Sequence, residues 1–234
     1  MEIIRLISLL VPSILLAYSL ALISTASATK PFFLFGDSFL DAGNNNYINT
    51  STVAQANFYP YGITFFHYPT GRCCDGRLVC EFVVVSIYIR VQAIDLHMQL
   101  RNYKKMEKWL TSKLGEVGAT KRLRRALFMF SVGTNDYATL FLTNNTFLTN
   151  TQSQYVDMVI GNITSVVTEI YNTGERKFAF LNVPPIGCVR HFRIHAVDGS
   201  CLSESLSYTK QHNKALLRAL RKLEKQLPGF KFSP

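Results

Sequence analysis

Along its length the chain alternates short unbroken apolar runs with longer stretches in which apolar residues recur every three or four positions. The runs FFLF (Phe32–Phe35), ALFMFSV (Ala126–Val132) and KFAFLNV (Lys177–Val183) have the length and composition of strands buried in a parallel sheet. Between Tyr155 and Tyr171 the set Val156, Val159, Ile160, Ile163, Val166, Val167 and Ile170 keeps the helical period, and Gly174 supplies a stop. A second helix is predicted over 205–227, with Leu206, Leu216, Leu217, Leu220, Leu223 and Leu227 inward and Pro228-Gly229 at its end. Phe230 and Phe232 then begin a further strand. Strands alternating with helices predict an α/β fold whose mainly parallel sheet is covered on both faces.

The first residues read differently. Arg5 precedes an apolar stretch from Leu6 to Ile23, and Ala26-Ser27-Ala28 follows it. That is the pattern of a secretory leader, residues 1–28, cleaved after Ala28. An uncleaved membrane anchor is the rival reading, disfavoured because Pro12 interrupts the run and an A-x-A site closes it. Residues 29–234 then form one domain with no second span, destined for the extracellular space or cell wall.

Export makes disulfides and glycans accessible. Asn49, Asn144 and Asn162 lie in sequons, and Cys188 and Cys201 are spaced to close a short loop. Cys73, Cys74 and Cys80 complete an odd count, so at least one thiol has no partner within the chain. No cysteine and histidine spacing suggests a metal site, and no motif calls for a cofactor.

The formal charge is +10, and loss of the leader removes Glu2 and Arg5 together, so the excess persists. Much of it falls between Arg101 and Arg125, with a second group from Lys210 to Lys225. An exported chain without a recognisable nucleic-acid module is a poor nucleic-acid binder. Solvated helix faces account for such runs, and attraction to an anionic matrix such as acidic cell-wall polysaccharide is the sharper reading.

The stretch PFFLFGDSFLDAGNNN carries candidate chemistry. A buried strand ending in Gly-Asp-Ser delivers Ser38 to the carboxyl edge of the sheet, where open α/β folds build their sites. Gly36 permits a tight turn there, and Ser38 is expected at or near the start of the next helix, as a nucleophile or as an ordinary helix cap. SVGTND follows the second apolar run in the same way, so Asn135 is delivered to the same edge, where its amide could stabilise an oxyanion or merely shape a turn. Asp37 and Asp136 read as loop or cap residues.

The ordered blocks FGDSFLDAGNNN, PTGRCCDGRLVCEF, SVGTNDY and LNVPPIGC resemble those of plant GDSL esterase/lipases, members of the SGNH hydrolase superfamily, over nearly the whole chain after the leader. The resemblance implies a flavodoxin-like three-layer α/β/α sandwich and serine-dependent hydrolysis of carboxylic esters or lipids. It makes Ser38 the nucleophile and Asn135 the oxyanion-hole asparagine. It also implies a glycine-bearing block after PTGR and a catalytic Asp-x-x-His, yet no glycine stands between Gly76 and Gly115 and no Asp-x-x-His occurs. None of His67, His97, His191, His195 and His212 matches the family's base. The chain therefore reads as an internally shortened and C-terminally truncated member, impaired as an enzyme, with a non-catalytic secreted glycoprotein as the alternative.

Overall fold

The computed structural model describes residues 30–38, 40–47, 49, 52–76, 78, 95–142, 151–194 and 198–234. The leader, Asn144 and Cys80 lie outside the described residues. Among the described residues four strands form one sheet in the order β1 (Phe32–Gly36), β2 (Leu127–Ser131), β3 (Lys177–Phe180) and β4 (Lys231–Ser233), each parallel to its neighbour. Among the described residues, beside a short α1 (Thr52–Gln55), the helices are α2 (Leu96–Leu123), α3 (Thr134–Leu142), α4 (Gln152–Asn172), α5 (Arg190–Arg193) and α6 (Ser203–Gln226).

Register explains why phenylalanine dominates the runs. Phe33 lies opposite Phe128 and Phe128 opposite Phe178, while Phe35, Phe130 and Phe180 form a second row. Successive rings stack across the strands, at 4.7 Å for Phe33 with Phe128 and 4.9 Å for Phe35 with Phe130. These rows face α2, α4 and α6 and form the main core with them. On α4 all seven residues of the predicted apolar set are buried. Each such side chain contributes about 1.5 to 3 kcal/mol of burial, which outweighs the few tenths at stake in helix propensity. Thr151 and Gln154 close a reciprocal cap at the start of α4.

The inner stripe of α6 departs from expectation. Leu216, Leu220 and Leu223 are buried as predicted, but the stripe begins with Ser205, Thr209 and His212, whereas Leu206 and Leu217 are only half-buried. A polar stripe carries no hydrophobic signal, so a pattern of leucines misplaces that half of the face.

The sheet's second face carries a smaller cluster among the described residues. Phe32, Leu40 and Leu78 form a small buried cluster there, joined by half-buried Leu34, Leu127, Met129 and Leu181. The segment from Asp37 to Leu78 supplies its cover, and among the described residues that segment carries only short helices. The architecture is the expected α/β sandwich, with α2, α4 and α6 on one face of the parallel sheet.

Candidate functional site

The carboxyl ends of β1 and β2 are held together by a glycine. Gly36 pairs with Ser131, and a Cβ on Gly36 would collide with the Ser131 carbonyl, so a larger residue would part the strands where the site begins. On its other side Gly36 is clamped by one side chain. The Gly36 N–H donates to Gln99 Oε1 at 2.9 Å, and Gln99 Nε2 donates back to the Gly36 carbonyl at 2.9 Å. A single amide thus satisfies the two backbone groups that a neighbouring strand would otherwise take.

Ser38 follows two residues later, half-buried in a turn. The Leu40 N–H donates to the Asp37 carbonyl at 3.0 Å, and buried Asp41 then organises the chain beyond: its Oδ1 accepts from the backbone N–H groups of Gly43 and Asn44 and from Asn44 Nδ2. Asn46 Nδ2 donates to the carbonyls of Gly43 and Gln55. The asparagine string is therefore loop scaffolding. Ser38 does not begin a helix, contrary to expectation, because Asp41 takes these N–H groups into a turn and only a short 3-10 segment, Asn44–Tyr47, follows.

On β2 the chain leaves Ser131 through Gly133, whose φ of 117° disfavours any side chain. A Cβ there would stand 2.9 Å from the His212 ring and 3.0 Å from Val183. Asn135 is the second residue of α3 and is exposed, not part of a loop. His212 lies beneath this turn, fully buried, with Nδ1 2.7 Å from the Tyr137 hydroxyl. Burial lowers its pKa from 6.5 to about 4, which keeps the ring neutral at ordinary pH.

A cavity of about 310 Å³ opens at this edge. Gly36, Asp37 and Gln99 form one wall, Ser131 to Gly133 with Asn135 and Asp136 another, and Asp95, His97, Val159 and Asn162 complete it. Burial pushes the Asp136 carboxyl upward. Asn135 thus lines the cavity, while Ser38 lies one residue beyond the lining Asp37. His97, set aside in the sequence, borders it. Gln99 and His212 were also missed as site residues, although each occupies an inward position of a helix: Gln99 and Tyr103 on α2, and Ser205, Thr209, His212 and Leu216 on α6.

Other expected features fall away from the cavity. Cys188 and Cys201 form a disulfide across 13 residues, and Cys73 and Cys74 are free thiols. Burial, followed by the nearby Asp41 charge, pushes the Cys73 thiol upward. Asn49 and Asn162 are exposed, and Asn162 also borders the cavity. Among the described residues no helix is long and apolar enough to cross a membrane, and no group of three His, Cys, Asp or Glu could hold a metal ion.

A parallel α/β sandwich with Gly-Asp-Ser and Gly-Thr-Asn-Asp at neighbouring strand ends defines a GDSL-type hydrolase scaffold. The chain belongs to the GDSL-like Lipase/Acylhydrolase family, whose pattern matches residues 32–233. It is 43% identical to GDSL esterase/lipase 5 of Arabidopsis thaliana, over 86% of this chain and 61% of that protein. It is 37% identical to GDSL esterase/lipase 2 of the same plant and 36% identical to a GDSL lipase of Tanacetum cinerariifolium, over 86% of this chain in each case and 63% and 62% of those proteins. The chain thus spans less than two thirds of the length of these relatives.

Proposed function

We propose that this chain carries the nucleophile and oxyanion side of a serine esterase or lipase acting on carboxylic esters. The observation that carries the reading is the pairing of Gly36 with Ser131, which brings the Gly-Asp-Ser and Gly-Thr-Asn-Asp turns out of adjacent strands beside one cavity. Ser38 Oγ attacks the ester carbonyl, a new C–O bond forms, and the carbonyl π pair moves onto oxygen. Asn135 Nδ2–H donates to that oxyanion, a neutral contact that needs no titration. The alcohol leaves with a proton, and water then releases the acyl group from Ser38. The proton of Oγ needs a base. His212 does not serve, since its Nδ1 is committed to Tyr137 and the ring is shut in the core.

The supporting experiment is hydrolysis of a short-chain aryl ester by the purified chain. Slow turnover that Ser38→Ala abolishes is expected. Turnover unchanged in Ser38→Ala overturns the assignment. Rates of about 1 to 10³ per second would mean that a histidine such as His97 acts as base. A non-catalytic binding role is the second reading, favoured by the exclusion of Ser38 from the cavity lining. Ligand retention by a chain without turnover would select it.

Residues 1–28 act in this reading as a cleaved leader for export, and residues 29–234 as the hydrolase domain. Exposed Asn49 and Asn162 are the described glycan acceptors. Peptide mapping of secreted material that finds Thr29 at the amino terminus and glycan on either asparagine supports this. An intact amino terminus with no glycan refutes it.

A further inference from the structure

We propose that Gln99 is a positioning residue for the Ser38 nucleophile, acting through Gly36. The inference deepens the esterase reading and rests on it. Two demands meet at residue 36. Close approach to β2 excludes a side chain, since a Cβ would stand 2.4 Å from the Ser131 carbonyl oxygen. Without a side chain, however, the backbone there has more accessible φ/ψ than any other residue would have. The torsions of Gly36 and Asp37 set where Ser38 stands, so the glycine that lets the strands close also loosens the root of the nucleophile turn.

The Gln99 amide removes that looseness. Gly36 N–H belongs to the peptide plane before the residue and its carbonyl to the plane after it, and Gln99 bonds both, each at 2.9 Å. A rotation about either Gly36 torsion turns one plane against the other and breaks one of the two bonds. The amide is itself held. Gln99 is 5% exposed, Asp95 Oδ1 accepts from the Met98 N–H at 2.7 Å and pins the first turn of α2, and Tyr103, one turn on, meets the rings of Phe33 and Phe35 at 5.5 and 6.3 Å. The helix is thus docked on the strand whose end its own side chain grips.

The place of the grip assigns its purpose. It falls on the last residue of β1, where strand gives way to turn, and both Gln99 and Gly36 line the cavity. On the far side of Ser38 the Asp41 N–H donates to the Ser38 carbonyl at 3.4 Å, and the Asp41 carboxylate gathers Gly43 and Asn44. Ser38 therefore hangs between two anchors, Asp41 downstream and Gln99 upstream. Releasing the upstream one leaves the nucleophile attached to the strand but free to swing about Gly36.

The test reads a single attack and needs no turnover. The whole chain is incubated with an alkyl fluorophosphonate, from which Ser38 Oγ displaces fluoride as the O–P bond forms and its proton passes to water, and the Ser38 peptide is followed by mass spectrometry below the melting transition. Gln99→Ala is expected to lower the maximal labelling rate about 100-fold, the cost of a displacement of about 1 Å, with the half-saturating concentration little changed. Ile170→Val, which loosens packing at the far end of α4, should leave the rate unchanged. In Gln99→Glu the protonated carboxyl again offers one donor and one acceptor, whereas the carboxylate only accepts. Its rate relative to the unmodified chain should therefore climb toward one as pH falls from about 8 to about 5. Asp37, Asp95, His97 and Asp136 line the same cavity in both proteins, so the ratio isolates residue 99. Labelling of Gln99→Ala at the unmodified rate overturns the proposal, as does an equal loss in Ile170→Val or a ratio for Gln99→Glu indifferent to pH. Failure of the unmodified Ser38 peptide to label at all overturns the esterase reading, and this inference with it. The pH series compares one folded variant with itself and decides the matter even if Gln99→Ala folds poorly.

Discussion

Replacing Glu175 by Gln should change how stability depends on pH. Glu175 opens the approach to β3 at the edge opposite the cavity and is 1% exposed, with Oε2 buried and unpaired. Burial raises its pKa from 4.5 to about 7, the Glu107 charge adds to the rise, and Arg176, Tyr103 and Arg124 offset part of it. That gap is worth about 3 kcal/mol. Because the folded value lies above the unfolded one, the contribution is complete below pH 4.5 and is lost as pH rises through 7. His212 has the opposite slope. Its folded value of about 4 lies below 6.5, so its contribution is complete above 6.5 and is lost as pH falls toward 4. Across the shared window, from 4.5 to 6.5, the Glu175 and His212 slopes oppose each other. Glu175→Gln removes one of them. In urea unfolding the variant's advantage over the unmodified chain should then grow by about 3 kcal/mol between about pH 5 and pH 8. Any fixed cost of burying the new amide shifts all points equally. Parallel curves for the two proteins would refute the reasoning, since they would mean that Glu175 titrates alike in the folded and unfolded chain.

Three further outcomes follow from the site. Gly133→Ala should cost about 1 to 3 kcal/mol, because the new Cβ meets His212 and Val183 at a positive φ, and thermal melting checks it. Tyr137→Phe leaves buried His212 Nδ1 without its 2.7 Å partner and should cost about 1 to 3 kcal/mol by urea titration. Gln99→Ala frees both backbone groups of Gly36 and should cost about 1 to 3 kcal/mol, while Gln99→Glu, which keeps the shape but loses the donor, should also fail to restore stability in an unfolding assay at neutral pH.

The sequence by itself determined the parts that repeat a simple period. The three apolar runs became β1, β2 and β3, and the seven apolar positions of α4 are all buried, because burial of large side chains dominates and leaves a visible pattern. The ordered motifs located Ser38 and Asn135 at neighbouring strand ends through local connectivity alone. Tertiary structure decided what has no local signature. Whether Ser38 begins a helix or sits in a turn depended on Asp41 collecting the N–H groups of Gly43 and Asn44. Gln99 gained its role only because α2 lays it against Gly36, 63 residues away, and His212 only because α6 presses it against Gly133 and Tyr137. Polar groups at inward helical positions look like breaks in a hydrophobic stripe until the partner that satisfies them is brought alongside, and that partner is chosen by packing between elements distant in the chain.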